Sequence, residues 1–425
     1  MTPRIRPNRN RRDFLRTRRA LLRDSLYGAG LLTVGSWIGA CSDASDVAGT
    51  ERVSNIPNIG PLGPPDENGV RVPEGFECRI LAQSGEPVPG TNYLWHGAPD
   101  GAGIFPQDDG GWIYTVNSEI PINSPPAGGA SSIRFDAEGN IVDAYRVLSG
   151  TQFNCAGGVS PDGKWLSCEE DFGGHGAVWV CDPTGREEAL RAEAMGLFTH
   201  EAVAFDSENG HVYMTEDQPD GGLYRFTPDR YPDVQTGLLE IAHVRDLEAV
   251  QAGGMSEVDW LTVPDPLATD TLTRNQLEES TGFLGGEGIW YRDGKAFFAT
   301  KFDNRIYVLN TRENTICVLY HAESDGGVLT GVDNVTTGDV GGEVLVAEDG
   351  GDMQIVALVP EGDGCDLGGV IPLVQVDGQD GSEITGPVFD PSGTRLYFSS
   401  QRGLGLGFFE SGITYVMNGP FCRPA

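Results

Sequence analysis

Six times along this chain a short apolar run closes on polar, mostly acidic, residues. The runs are WIYTVNSE (112–119), WLSCEED (165–171), VYMTEDQ (212–218), AFFATKFDN (296–304), EVLVAEDG (343–350) and LYFSSQ (396–401). Each is followed by a second apolar run: SSIRFDAEG, AVWVCDPTG, GLYRFTPD, RIYVLNTRE, QIVALVPEG and ITYVMNGP. A third segment precedes each pair, reading WHGAPDGAGIF, NCAGGVS, HEAVAF, GEGIWY, VDNVTT and EITGPVF. Turn sequences such as SPDG, DSENG, YRDG and DPSG separate that segment from the next run, as hairpin chemistry requires.

The spacing predicts the architecture. Run starts at 112, 165, 212, 296, 343 and 396 give a period near 50 residues, broken by one long interval. A period of roughly 40–50 residues with several strands per unit is the mark of propeller blades. The expectation is an all-β, six-bladed β-propeller over residues 70–425, with an insertion at 228–283. Within that insertion TDTLTRNQLEES (269–280) reads as helical. With 60 Gly and 27 Pro the chain is well supplied for tight turns.

The first residues read as an address. Arg11 and Arg12 in RRDFLR precede an apolar stretch from Ser25 to Ala40, which resembles a twin-arginine export signal. Ile38-Gly39-Ala40-Cys41 then resembles a lipobox, with Cys41 as the lipidated residue. Residues 1–41 are therefore expected to be a signal and 42–69 a tether. The expected location is outside the cytoplasm, periplasmic or held at the cell envelope by a lipid. The export machinery would be a partner, and any membrane contact would run through that anchor alone.

Charge narrows the partners further. The chain carries a net charge of −33, and residues 1–40 hold nine arginines and only two acids. Such a surface repels nucleic acid and anionic lipid. An anionic substrate is compatible only where bound cations reverse the local field. Beyond Cys41 there are seven cysteines, an odd number in a disulfide-permissive setting. The expectation is three disulfides among Cys78, Cys168, Cys181, Cys317, Cys365 and Cys422, with Cys155 keeping its thiol.

A propeller brings equivalent positions of successive blades into rings about its axis. One expected ring is Asp100, Cys155, Glu201, Glu287, Asp333 and Glu383. A second is drawn from the strand ends: Glu119, Glu169, Glu170, Glu216, Asp217, Asp303, Glu348 and Asp349. So many carboxylates cannot share one channel ionised without cations, because like charges raise each other's pKa. Oxygen-rich clusters suit Ca²⁺, and an added thiolate suits a transition metal such as iron. His200, beside Glu201, is a further candidate ligand.

The segments NCAGGVSPDGKWLSCEEDFGG (154–174) and THEAVAFDSENGHVYMTEDQPDGGLYRF (199–226) resemble the PhoX alkaline phosphatase family. So do GGEGIWY, VDNVTTGDVGGEVLVAEDG and SEITGPVFDPSGTRLYFSSQ further on. The resemblance implies an exported metal-dependent hydrolase of phosphate monoesters with Fe(III) and Ca²⁺ in the channel. It implies Cys155 as an iron-binding thiolate, with Glu170, Glu201, Glu287, Asp333, Glu348 and Glu383 as metal-contacting carboxylates. Glu119 and Glu216 join them from the strand-end ring, and Glu287 would hold metal or orient the attacking group. The family's phosphate-holding arginine, two residues before Glu287, is replaced by Gly285. Lys301 or Arg305 would have to substitute for it. Two other readings are a non-catalytic, calcium-stabilised propeller lipoprotein and a calcium-dependent esterase or lactonase.

Overall fold

The structure, a computed structural model, describes residues 52–124, 127–337, 341–362, 364–405 and 409–425. It is an all-β, propeller-like arrangement. Each of the six acidic-ended runs is the second strand of an antiparallel sheet: Trp112–Ser118, Trp165–Glu169, His211–Glu216, Lys295–Thr300, Val344–Glu348 and Arg395–Ser400. The segment before each forms an innermost strand: Pro99–Pro106, Asn154–Val159, His200–Asp206, Gly286–Arg292, Val332–Thr337 and Ile384–Phe389. These six touch in succession, and the last returns to the first. They are buried almost end to end, which is why they read as continuous small and apolar runs rather than alternating ones.

Aromatic rings fill the wedges between neighbouring sheets. Tyr114 stacks on Tyr397 with centroids 4.9 Å apart, joining the first unit to the sixth. Such a pair adds about 0.5–1.5 kcal/mol beyond its area burial. Buried hydrogen bonds make similar ties near the axis. Asn117 Nδ2 donates to the carbonyls of Cys155 and Ala156 at 3.1 and 2.8 Å, and Thr215 Oγ1 donates to the Glu287 carbonyl at 2.5 Å. Asn334 Oδ1 accepts from Gly386 N at 2.7 Å, and Thr385 Oγ1 donates to the Pro99 carbonyl at 2.9 Å.

The sheets do not separate into six blades. Among the described residues four hold four or five strands each, a fifth holds nine, and the sixth is a two-stranded ribbon rather than a blade. The nine-stranded sheet arises from the insertion. Its strand Ser256–Thr262 pairs on one side with Asp233–Val244 and on the other with Thr315–His321, bridging the third and fourth units. The last unit is closed from the other end of the chain, where Glu77–Gln83 pairs with Ile413–Asn418.

Three expectations are corrected. Residues 52–69 are not a tether: Arg52–Ser54 pairs with Cys422–Pro424, and Ile56 is 2% exposed in the core. The segment 269–280 forms only a 3-10 turn at Thr273–Asn275, while a short α-helix forms earlier, at Leu247–Gln251. An isolated helix of that length is marginal, and tertiary bonds win here: Thr273 Oγ1 donates to the Leu197 carbonyl, and Arg274 pairs with Glu216 and Asp220. Of the expected disulfides the structure forms Cys317–Cys365, whereas Cys78, Cys168 and Cys181 keep their thiols. Cys168 and Cys181 lie in paired strands but three register positions apart, and Cys78 faces Met417. The export signal, with Arg11, Arg12 and Cys41, lies outside the described residues. Among the described residues no helix is long and apolar enough to cross a membrane.

Candidate metal centre

The six innermost strands deliver one ring of side chains to the axis. Asp100, Cys155, Glu201, Glu287 and Asp333 are each the second residue of their strand, and Glu383 immediately precedes its strand. All six are fully buried. In the first five, the pairing register slips by one residue at or beside the ring position, the mark of a β-bulge. A bulge re-aims a side chain out of the regular pleat. In the sixth strand the slip falls later, between Thr385 and Val388, beyond Glu383.

A second ring comes from the residue just after each second strand: Glu119, Glu170, Asp217, Lys301, Asp349 and Gln401. The residue before each of these points elsewhere, because neighbouring positions on an extended chain alternate sides. Glu216 accepts from Gly222 N at 3.0 Å, Tyr224 Oη at 2.7 Å and Arg274 Nη1 at 2.8 Å. Glu348 accepts from the backbone N–H groups of Thr330, Asp352 and Gln354. Glu169 accepts from Gln152 N and Ala177 N. These three carboxylates tie down loops, so Glu216 and Glu348 are withdrawn from the set of expected metal ligands. Burial still pushes Glu348 up to about 7.

Nine carboxyl groups thus converge with one thiol: Asp100, Glu119, Glu170, Glu201, Asp217, Glu287, Asp333, Asp349 and Glu383 beside Cys155. Four triads have ligand atoms within 4.8 Å of one another: Asp100–Glu119–Cys155, Cys155–Glu170–Glu201, Glu201–Glu287–Asp333 and Asp333–Asp349–Glu383. Shared members link the four in a row. Two oxygens on opposite sides of one Ca²⁺ lie about 5 Å apart, so the spacing suits a bound cation. The two triads containing Cys155 offer sulfur and oxygen, and the other two offer oxygen alone.

The electrostatics demand cations. Burial, then neighbouring carboxylates, pushes Asp100, Glu170 and Glu201 well above the usual carboxylate range. Burial and the Asp217 charge do the same to Glu287, and burial with the surrounding acids raises the Cys155 thiol. Both oxygens of Glu170 and of Glu201, with Asp100 Oδ1 and Glu119 Oε1, are buried without a hydrogen-bond partner. A buried polar atom left unmatched costs about 1–3 kcal/mol, more when charged. Gln401 Nε2 donates to Asp100 and Glu119 at 2.5 and 2.7 Å, but one neutral amide cannot offset two carboxylates. The residues present fit metal ions.

Two side-chain cations enter the ring. Lys301 Nζ lies 2.6 Å from Glu287, 3.4 Å from Asp217 and 3.9 Å from Asp349. Arg402 Nη2 lies 3.3 Å from Glu383 Oε1. Sequence reading missed Arg402; its signal was its place one residue beyond Gln401 in the strand-end series. Arg305 is not brought to the ring but pairs with Asp303. His200 turns away: Nε2 meets the Gly196 carbonyl at 2.9 Å, its ring stacks on Phe198, and burial holds its pKa at about 3. At Gly285 the backbone has φ +73°, and a Cβ there would come within 2.8 Å of the Phe302 ring and 3.1 Å of Asp217 Oδ1. An arginine does not fit this site as it is packed.

The fold has relatives of known structure. Pseudomonas fluorescens PhoX, in complex with vanadate as a transition-state analogue, matches with a TM-score of 0.68 at 14% identity, over 87% of this chain and 98% of that one. A gluconolactonase, XC5397 from Xanthomonas campestris, matches with a TM-score of 0.46 at 12% identity, over 85% and 97% of the two chains. Among curated proteins none matches the sequence. The family model "Alkaline phosphatase PhoX" matches residues 113–182 and 173–316, which contain five of the nine converging carboxylates, Cys155 and Lys301. The PhoX pattern therefore runs through the centre of this chain, and the resemblance to that family is borne out by sequence and fold together.

Proposed function

We propose that this chain is a metal-dependent phosphatase that hydrolyses phosphate monoesters outside the cytoplasm, on a six-bladed propeller whose nine-stranded sheet carries two bridged blades. One observation carries the reading: a closed ring of buried acids and one thiol, with unmatched oxygens, at the axis of a PhoX-like fold. Asp100, Glu119, Cys155, Glu170 and Glu201 would hold the transition-metal ions, with Fe(III) as the assignment, and Glu287, Asp333, Asp349 and Glu383 would face Ca²⁺. Bound there, the ions supply positive charge for the phosphoryl oxygens and the transferring group. The chain's own part is to position that charge and to keep the site compact. The bulged strands aim the ring, and the Asn117, Thr215, Asn334 and Thr385 bonds fix neighbouring units.

The test is hydrolysis of p-nitrophenyl phosphate by exported protein of known metal content, before and after chelation. Turnover that is lost with the metal and restored by iron with calcium supports the reading. Fully metallated protein without turnover removes it. A second reading then stands, a calcium-stabilised propeller without catalysis. It is favoured by Gly285, where the phosphate-holding arginine is missing and Phe302 fills the space.

A further inference from the structure

The two halves of the ring are neutralised differently. On the side of Asp100, Glu119, Cys155, Glu170 and Glu201 no lysine or arginine lies in salt-bridge contact among the described residues, although carboxylate oxygens without a hydrogen-bond partner occur on both sides. On the side of Glu287, Asp349 and Glu383 two side-chain cations are already in place. Lys301 is 7% exposed and contacts three carboxylates; Arg402 is 3% exposed and contacts Glu383.

We propose that Lys301 and Arg402 are resident cations of the ring, taking part of the charge-balancing place of metal on its all-oxygen side and so lowering the number of Ca²⁺ ions that side holds. This rests on the reading of the ring as a metal centre. The physical reason is charge balance in a buried site. A carboxylate cluster out of water keeps its ionised form only against matching positive charge, and an ammonium 2.6 Å from Glu287 supplies one unit of it. Lys301 stands at a strand-end position that carries an acid in four of the other units: Glu119, Glu170, Asp217 and Asp349. An acid there adds a ligand; lysine removes one and adds a competitor. Arg402 follows Gln401, the other strand-end position without an acid. Under this proposal Lys301 would not serve as a substitute phosphate clamp, since its ammonium is engaged by carboxylates.

The experiment counts ions rather than turnover. Full-length wild type, Lys301→Met, Lys301→Arg and Arg402→Met are stripped with chelator, reloaded, and measured by elemental analysis and calcium titration calorimetry. Lys301→Met is expected to bind more Ca²⁺ than wild type, by about one ion per chain, with Lys301→Arg unchanged because the charge is kept. Arg402→Met should shift in the same direction. Equal or lower calcium content in folded Lys301→Met overturns the proposal. If Lys301→Met melts without calcium, recovery of its melting temperature on adding Ca²⁺, beyond any shift in Lys301→Arg, supports the proposal, and no recovery overturns it. An inactive wild type leaves this readout intact, whereas a wild type that binds no metal overturns both this proposal and the metal-centre reading.

Discussion

Lys301 Nζ and Glu287 Oε1 sit 2.6 Å apart at the axis of the propeller, from the second and innermost strands of one unit, with the side chains 7% and 0% exposed. The pair shows how the ring is held without its ions: one ammonium among many carboxyl groups. Burial and Asp217 push Glu287 up while Lys301 pulls it down, and the upward push wins. In metal-free protein the ring carboxyls therefore hold their protons more tightly than free carboxyls do, and several consequences can be measured.

The first concerns pH. Glu170, Glu201, Glu287 and Asp333 have folded pKa values raised above their unfolded ones. Above the unfolded value the unfolded chain holds fewer protons than the folded one, so stability falls as pH rises until the folded value is passed. For Glu348, raised from 4.5 to about 7, the loss begins above 4.5 and is complete above about 7. His96, His200 and His211 act the other way, costing stability as pH falls below 6.5, but they are three groups against the many raised acids. Chelated protein should unfold at lower denaturant near pH 8 than near pH 5, and Ca²⁺ should help more at the higher pH. A profile in chelator that is flat or rises with pH would contradict this account.

Cys155→Ser keeps the size of the ring but replaces the soft ligand of two triads. The expected result is loss of iron from the purified protein, with calcium content kept and phosphate-ester turnover down by at least about tenfold. Unchanged iron content would show that the thiol is not a ligand.

Neighbouring acids should separate cleanly. Glu216→Gln replaces a carboxylate that faces Arg274, Tyr224 and Gly222, so it should lower stability by about 1–3 kcal/mol and leave metal content alone. Glu170→Gln should lower metal content and leave the chelated protein equally or more stable, since it removes a buried carboxyl group whose two oxygens have no hydrogen-bond partner. Denaturation curves and elemental analysis on both variants check the pair. The same response from both would mean that the alternation of sides at the strand ends does not govern the site.

Asn117 joins two units: it donates to Cys155 and Ala156, and its Oδ1 accepts from Trp165 Nε1 and Ser167 Oγ, both at 2.8 Å. Asn117→Ala strands two buried donors and should cost about 2–4 kcal/mol. Chemical denaturation in the presence of metal gives the value, and a loss under about 0.5 kcal/mol would count against the tie.

Much of this was legible in the sequence, and the reason is repetition. Six like units, each with an acidic strand end, declare blades, and equivalent positions in blades must form rings. That reasoning found Asp100, Cys155, Glu201, Glu287, Asp333 and Glu383 without coordinates. It did not separate Glu170 from Glu169 or Asp217 from Glu216, because adjacent acids look alike until the strand's last pairing and the loop's N–H groups decide which one turns inward. Nor did it place Lys301 against Glu287 rather than a substrate, or bring Arg402 to Glu383, since those contacts span strands and units. The sequence alone determined the repeat, the strands, the acidity and the single thiol at the axis, because each is carried by local pattern. Only the tertiary structure decided which acids share a cation, which are spent on loops, how the insertion fuses two units into one sheet and how Glu77–Gln83 closes the last, because all four depend on residues that meet only when the ring closes.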